Sequence, residues 1–160
     1  MARAPRRDLA EPTTMTLYHY TIGYHLPDII ADGALRPTAR HPGSRVSVLW
    51  LSSHPRWEPS AVKTIQEHGR DVIIGLERLA TRGRGVFRFE VEPAQALLSW
   101  PEYVELSAID PEFAEHLDSS GRQGGADPAQ WRACLQPVPR EQWRRIEMWQ
   151  PAQQSWTELV

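Results

Sequence analysis

The first third of the sequence places a strand, a short helix and a second strand in close succession, and this order constrains the fold most. "TLYHYT" is rich in the β-branched and aromatic residues that favour strands. "HLPDIIADG" has Leu26, Ile29 and Ile30 at helical spacing and Gly33 where a helix would end. Because Pro37 disfavours a helix at the preceding residue, the chain is expected to extend there. "VSVLWLS" then predicts a strand that is apolar on both faces.

The later segments predict strands and helices without regular alternation. "SSHPRWEPSAVKTIQEHG" predicts a second helix, with Pro59 in its first turn and Gly69 at its end. "DVIIGLERLATRGRG" fits either a strand or a helix, and "GVFRFEVEP" predicts a strand with one solvent-facing side. One helix is expected in "PEYVELSAIDPEFAEHLDSSG", with Asp110 as N-cap and Pro111 at its first position. "WRACLQPVP" and "RRIEMW" predict the last two strands, separated by a turn of helix at "PREQW", and no clear signal follows Trp149.

These elements predict an α+β fold with a split or folded mixed β-sheet core and short helices. A chain of 160 residues is long enough for one hydrophobic core. The expected organisation is a disordered arm over residues 1–14 and a single domain over residues 15–160, with Met15 as an alternative start. The sequence has no glycine-rich loop of the Rossmann or P-loop type.

Composition limits the classes of function. A formal net charge of −2 gives no overall attraction to nucleic acid or anionic membrane. No apolar run approaches the roughly 20 residues that span a bilayer, so no membrane association is predicted. The single cysteine, Cys134, excludes an internal disulfide and a multi-cysteine zinc site, and it fits a cytoplasmic protein. The six histidines lack zinc-motif spacing, so no metal is predicted, and there is no Gly-x-Ser-x-Gly turn of a hydrolase.

Three segments carry the candidate chemistry: "YHYT", "HLPDIIADGALRP" and "WLSSHPRWEPSA". A strand with His-Tyr-Thr, a short helix ending in glycine, Leu-Arg-Pro and an apolar strand ending in serine together resemble the front half of the ADP-ribosyltransferase fold. The likeness covers roughly residues 17–63. It is to the His-Tyr-Glu branch, which includes diphtheria-toxin-like enzymes and DNA-targeting bacterial toxins. The RNA 2′-phosphotransferases share this core.

The resemblance implies an NAD-dependent mono-ADP-ribosyltransferase that modifies a protein or nucleic acid, as a toxin, effector or phage-conflict protein. NAD would be bound bent, and its glycosidic bond would break through an oxocarbenium-like state. His19 would hold a ribose, and Tyr20 and Thr21 would shape the wall beneath it. Because side chains alternate along a strand, His19 and the tyrosines face opposite sides, and we expect His19 to face the cleft. A buried histidine satisfied by a backbone carbonyl is the alternative.

The resemblance also implies roles for residues after the second strand. Ser52 would lie beside the nicotinamide ribose, with Trp50 on the same face, and Trp57 would stack on the nicotinamide or, equally, cover the core. The family's late-strand glutamate is absent from "WRACLQPVP", which offers Gln136 instead. An amide there could bond a ribose hydroxyl but could not stabilise a cation as a charge would. Glu58, expected at a helix N-terminus, is therefore the remaining carboxylate candidate, although helix capping explains it as well.

Other interpretations stay open. Three glutamates lie on predicted strands, Glu90, Glu92 and Glu147, and two of the three fit surface charges on solvent-facing strand sides, which is the default for a strand carboxylate. The protein is alternatively a non-catalytic nucleotide-binding or interaction module on the same fold. An RNA 2′-phosphotransferase-like enzyme is a further alternative and needs several arginines in the cleft. The candidates, which equally fit solubilising surface charges, are Arg36, Arg40, Arg45 and Arg56.

Overall fold

The computed structural model describes residues 15–159, which form an α+β fold around a seven-stranded sheet. The arm predicted for residues 1–14 lies outside the described residues. In spatial order, the strands are β11 (Ser155–Glu158), β10 (Trp143–Gln150), β6 (Val86–Val91), β1 (Leu17–Ile22), β3 (Leu49–Ser52), β8 (Trp131–Cys134) and β7 (Leu98–Ser99). Every pairing in this sheet is antiparallel, so the prediction of a mixed sheet is wrong.

Two small sheets and four α-helices complete the described part of the chain. β2 (Ala34–Leu35) pairs with β9 (Val138–Pro139), and β4 (Lys63–Glu67) forms a hairpin with β5 (Arg70–Ile74). The helices are α1 (Leu26–Asp32), α2 (Leu76–Arg82), α3 (Trp100–Ser107) and α4 (Pro111–Gln123). Short 3-10 turns lie at Pro128–Gln130 and Arg140–Gln142. None of these helices is long and apolar enough to cross a membrane.

The local signals at the end of α1 and at the start of α4 are confirmed. Gly33 adopts the left-handed conformation (φ 71°), and its N–H donates to the carbonyl of Ile29, which ends α1. The Asp110 carboxylate accepts the N–H groups of Glu112 and Phe113 at 3.0 Å and thereby begins α4. These elements form where predicted because their signals act within one helical turn.

The second predicted helix is wrong: its segment forms a loop and then the β4–β5 hairpin. His68 and Gly69 both have positive φ (50° and 75°), as in the two-residue turns that match the twist of a hairpin. Across this turn Ile65 pairs with Val72, and both side chains pack against the core. "DVIIGLERLATRGRG" contains both predicted alternatives, since β5 is followed directly by α2.

The elements that were not predicted include α3 and β11. α3 precedes α4, and its start carries a capping box: Ser99 accepts the N–H of Glu102, whose carboxylate accepts the N–H of Ser99. The prediction of one helix in this region is therefore incomplete. β10 is not the final strand, because the chain turns after Gln150 and β11 pairs back onto it.

The two faces of the sheet are named here by the residues of β1. His19 pairs with Phe89, and we call their side the His19 face; Tyr20 pairs with Arg88 on the opposite side, the Tyr20 face. α1 and the β2–β9 pair pack on the His19 face, against Phe89 and other buried residues. On the Tyr20 face, α3 and α4 pack near β3 and β8, whereas α2 and the β4–β5 hairpin pack near β6 and β10.

Candidate functional site

The pairing of β1 with β3 is short and ends beside His19. β1 pairs with β6 along all six of its residues, but its described pairing with β3 is limited to Tyr18 and Ser52. The same register would next pair Tyr20 with Trp50, and that pair does not form. Instead, Nδ1 of His19 lies 3.0 Å from the Trp50 carbonyl oxygen, which is the backbone contact expected in the alternative, structural role of this histidine. We call this gap in the strand pairing, bordered by His19, Tyr20 and Trp50, the β1–β3 cleft.

The contact with Trp50 determines which atom of His19 is free. A carbonyl oxygen only accepts hydrogen bonds, so Nδ1 carries the proton and Nε2 keeps its lone pair. Burial lowers the pKa of His19 to about 4, against the opposing effect of the Trp50 hydrogen bond, and the positive charge of Lys63 lowers it further. The imidazole is therefore neutral at pH 7. Among residues 15–159, no group donates to its Nε2.

The backbone of β1 contributes to the same cleft. Gly23 N–H donates to the Gly85 carbonyl at 3.0 Å, and this places the odd-numbered peptide groups of β1 toward β6. By alternation, the N–H and carbonyl of Tyr20 are directed toward β3. Since no described residue pairs with Tyr20 on that side, its peptide groups face the β1–β3 cleft together with the His19 ring.

Glu58 lies on the other face and does not precede a helix, so its predicted helical placement is wrong. It is 5% exposed in the loop between β3 and β4. One oxygen accepts Ser52 Oγ at 2.6 Å; the other accepts Trp131 Nε1 at 3.1 Å and the N–H and hydroxyl of Ser60. Four donors therefore satisfy this carboxylate and tie the loop to β3 and β8.

The predicted solvent-facing side of β6 is wrong at Arg88, which is buried. Glu147, on the neighbouring strand β10, is buried too and is not a surface charge. Arg88 is 6% exposed and Glu147 8%, and Arg88 Nε donates to the Glu147 carboxylate across the β6–β10 pair. The guanidinium lies between two aromatic rings, 4.2 Å from the centre of Tyr18 and 4.5 Å from that of Trp156. The rings and the ion pair exclude water from this side of the strand.

Arg88 also clamps the loop that contains Glu58. Its Nη1 donates to the carbonyls of Pro55 and Arg56 at 3.1 and 3.3 Å. Trp156 Nε1 donates to the same Arg56 carbonyl at 2.7 Å. The loop over residues 53–60 is thus fixed to the sheet from both of its ends, through Arg88 at one and Glu58 at the other.

The aromatic residues predicted around NAD mostly have structural contacts. Trp57 meets Tyr20 edge to face at 4.9 Å and packs with the cluster around Ile74, as in the second of its two predicted roles. Burial raises the pKa of Tyr20 to about 12, so its hydroxyl stays protonated. The Trp50 ring packs on the Tyr20 face, and its Nε1 donates to His41 Nε2 at 3.0 Å. Only the carbonyl of Trp50 meets His19.

The predicted catalytic residues do not come together. His19 lies at the cleft, and Thr21 shares its face and is buried. Glu58 is bonded to Trp131 at the first residue of β8, whereas Gln136 follows the opposite end of that strand. Gln136 is exposed and lines a shallow depression with Arg36.

The four arginines proposed for phosphate binding do not form one cluster with His19. Arg36 is exposed and pairs with Asp32 at 2.6 Å, and Arg40 donates to the Ser44 carbonyl. Arg45 and Arg56 are exposed. No group of histidine, cysteine and acidic residues suited to a metal ion occurs within residues 15–159.

Sequence reasoning missed three residues around these sites. Arg88 and Glu147 carried a signal in the alternation of "FRFEVEP" and "RRIEMW", but their partnership needs the strand pairing. Lys63 carried a simpler signal, because it is the only lysine in the sequence. Burial is the largest cause of the lowered pKa of His19, and the charge of Lys63 lowers that pKa further.

Comparison with known proteins gives no family for this chain: no protein-family model, curated protein or solved structure matches it. The resemblance to ADP-ribosyltransferases, inferred mainly from residues 17–63, stays a prediction.

Proposed function

We propose that the protein binds NAD in the β1–β3 cleft and acts as an NAD-dependent mono-ADP-ribosyltransferase on a macromolecule, with an ADP-ribosyltransferase-like fold. The observation that supports this best is the state of His19. Its Nδ1 is held by the Trp50 carbonyl, its ring is neutral, and its Nε2 is a fixed acceptor at the gap in the pairing of β1 with β3. A ribose hydroxyl is a donor that fits this acceptor.

The peptide groups of Tyr20 extend the same argument. A nicotinamide carboxamide has an N–H₂ donor and a carbonyl acceptor in one plane. An unpaired strand edge offers an N–H and a carbonyl with matching spacing, in the way that a strand recognises an added strand. The carboxamide would therefore bond Tyr20, and the ribose would bond His19 beside it.

Transfer requires a negative charge near the ribosyl cation. Glu58 is the candidate, and its hydrogen bond from Ser52 links it to the strand that borders the cleft. Its two oxygens are already bonded by four donors, so it would reach the cation only if the loop over residues 53–60 moved. This full set of partners favours a second candidate function, which is nucleotide binding without transfer.

The first test is NAD-dependent quenching of tryptophan fluorescence, with nicotinamide release followed in the same sample. We expect saturable binding by the wild type, and at least about tenfold weaker binding by His19→Ala because one well-placed polar contact is lost. His25→Ala is the matched control, since His25 is an exposed histidine just before α1. Equal binding by the wild type and His19→Ala would remove His19 from the site, and no binding by any variant would remove NAD.

Glu58→Gln separates transfer from binding. Nicotinamide release by the wild type, together with NAD binding but no release by Glu58→Gln, would support the transferase. A wild type that binds NAD, releases no nicotinamide and labels neither protein nor nucleic acid with ADP-ribose would support the binding module instead.

A further inference from the structure

The seven-stranded sheet has two edges, and they differ in length. At one edge β7 has two residues, Leu98–Ser99, and passes directly into α3. At the other edge β11 has four residues, Ser155–Glu158, and no strand within residues 15–159 pairs with its outer side. An exposed edge is a template for another strand, and proteins often protect it with lysine, proline or a bulge. β11 contains neither lysine nor proline, and its register with β10 is uninterrupted.

The hydrogen bond at Leu159 determines which peptide groups of β11 face outward. Its N–H donates to the Ile146 carbonyl at 2.9 Å, in the same register that pairs β11 with β10. In an antiparallel pair only alternate residues bond the neighbouring strand, so the odd-numbered residues of β11 bond β10. The N–H and carbonyl groups of Trp156 and Glu158 therefore point away from the sheet, and within residues 15–159 no backbone group bonds them.

We propose that two copies of the chain associate through antiparallel pairing of their β11 strands, which joins the two sheets across a twofold axis. This inference is independent of the proposed NAD binding. Only outward-facing residues can bond across the new pair, and Trp156 opposite Glu158 of the second copy uses all of them. Such a pair exchanges two hydrogen bonds, and the symmetry forms it twice. Thr157 then faces Thr157 of the second copy at the axis, and cross-strand threonine pairs are favourable.

Two other registers would use the same peptide groups less well. With Trp156 opposite Trp156, Glu158 would lie opposite Gln154, which has a positive φ (51°) in the turn before β11 and does not continue the strand. With Glu158 opposite Glu158, two like charges would face each other, which destabilises a cross-strand pair. The register centred on Thr157 avoids both problems, so the edge is complementary to itself.

The register centred on Thr157 also brings opposite charges together. Trp156 Nε1 donates to the Arg56 carbonyl at 2.7 Å, so Arg56 lies beside the residue that Glu158 of the second copy would face. Trp156 and Glu158 project to the same side of the sheet, because they are two positions apart on one strand. Arg56 and Glu158 are both exposed, and within residues 15–159 neither takes part in a salt bridge. Each has its counter-charge in the second copy.

The first test is sedimentation velocity of the 160-residue chain from about 1 µM to about 500 µM, since the interface is small and the association weak. We expect the mass to rise from that of one chain toward that of two. Glu158→Pro removes an outward N–H that the fold does not use, so it should keep the pairing with β10 and weaken association by at least about tenfold. Glu158→Gln, which keeps the N–H, should associate more tightly than Glu158→Pro.

The second test exchanges the charges. Glu158→Arg and Arg56→Glu should each weaken self-association by at least about tenfold, because each variant places like charges across both copies of the contact. An equimolar mixture of the two variants should recover association close to that of the wild type, since both contacts of the mixed dimer then join opposite charges. Loss of folding in either variant cannot produce this recovery.

Three results would overturn the proposal. A wild type with the mass of one chain at every concentration would show that the edge does not pair with itself and is left for a strand of another protein. A dimer that persists in Glu158→Pro would use another surface. A mixture of Glu158→Arg and Arg56→Glu that associates no better than either variant alone would overturn the register and the ion pair.

Discussion

The charged groups of the Tyr20 face and the histidine of the β1–β3 cleft differ in the number of their hydrogen-bond partners. On the Tyr20 face, Glu58 has four donors, and the Arg88 guanidinium has Glu147, two carbonyls and two aromatic rings around it. In the cleft, His19 has one bond from Nδ1 and an Nε2 to which no described residue donates. The partners of Glu58 and Arg88 indicate a structural role, although the Tyr20 hydroxyl and Trp149 Nε1 are buried on the same face without a partner. The Nε2 of His19 is the acceptor that remains available to a ligand.

The same short strand produces both environments. Tyr18 and Tyr20 project to one side, where they cover Arg88 and contact Trp57, while His19 projects to the other. Residues that look alike in the sequence therefore have different roles. The aromatic and charged residues of the Tyr20 face contribute to stability, whereas His19 and the backbone of Tyr20 are left for ligand binding.

The largest expected effect on stability comes from removing the guanidinium of Arg88 and with it the hydrogen bonds and ring contacts around that group. Arg88→Met should lower the free energy of unfolding by about 3–5 kcal/mol, because it leaves the buried carboxylate of Glu147 without its counter-charge. Urea denaturation followed by tryptophan fluorescence measures this directly.

Two further variants establish the cause of that loss. The double variant Arg88→Met/Glu147→Leu should recover most of the stability, since an apolar pair replaces the ion pair without leaving a lone charge. Arg122→Ala, which breaks the exposed pair with Asp118, should change stability little. A stable Arg88→Met single variant would show that the network is not what holds this face together.

The parts of the fold that could be predicted are those whose signals are local. The strand at Leu17, the helix ending at Gly33 and the cap at Asp110 each depend on residues a few positions apart. The β4–β5 hairpin was not predicted because Ala61, Val62 and Ile65 fit helical spacing as well as they fit a strand. The positive φ of His68 decides between the two, and it has no sequence signal as strong as Asn-Gly.

The candidate site follows the same rule. That His19 faces away from the two tyrosines follows from strand alternation, and the structure has this arrangement. Arg88 and Glu147 are 59 positions apart and meet only through the register of β6 and β10. Glu58 could not be recognised as a loop clamp for the same reason, because Trp131, which donates to it, is 73 positions away.

A second, smaller effect concerns the β1–β3 cleft: the stability of the protein should depend on pH through His19. The pKa of His19 is about 4 in the folded protein and 6.5 ordinarily, so the unfolded chain takes up the proton first as the pH falls. Stability is therefore fully present above pH 6.5 and is lost between pH 6.5 and 4. For a half-buried ring, this loss should be about 2–3 kcal/mol.

The difference between wild type and His19→Ala isolates this contribution from the other histidines. His41 also has a pKa lowered by burial, and its part is common to both proteins. Urea midpoints at pH 7, 6, 5 and 4 should converge between wild type and His19→Ala as the pH falls. Parallel curves would mean that His19 is protonated in the folded protein as readily as in the unfolded one.

The smallest effect tests whether Trp57 has a structural role on the Tyr20 face. Trp57→Phe keeps an aromatic ring against Tyr20 and removes part of the buried surface in the cluster around Ile74, so it should cost about 1 kcal/mol of stability. NAD affinity, measured by calorimetry because a tryptophan is lost, should stay within about twofold of the wild type. A large loss of affinity with little loss of stability would place Trp57 on the nicotinamide. Trp57 and the loop that carries it would then belong to the ligand site and not to the packed Tyr20 face.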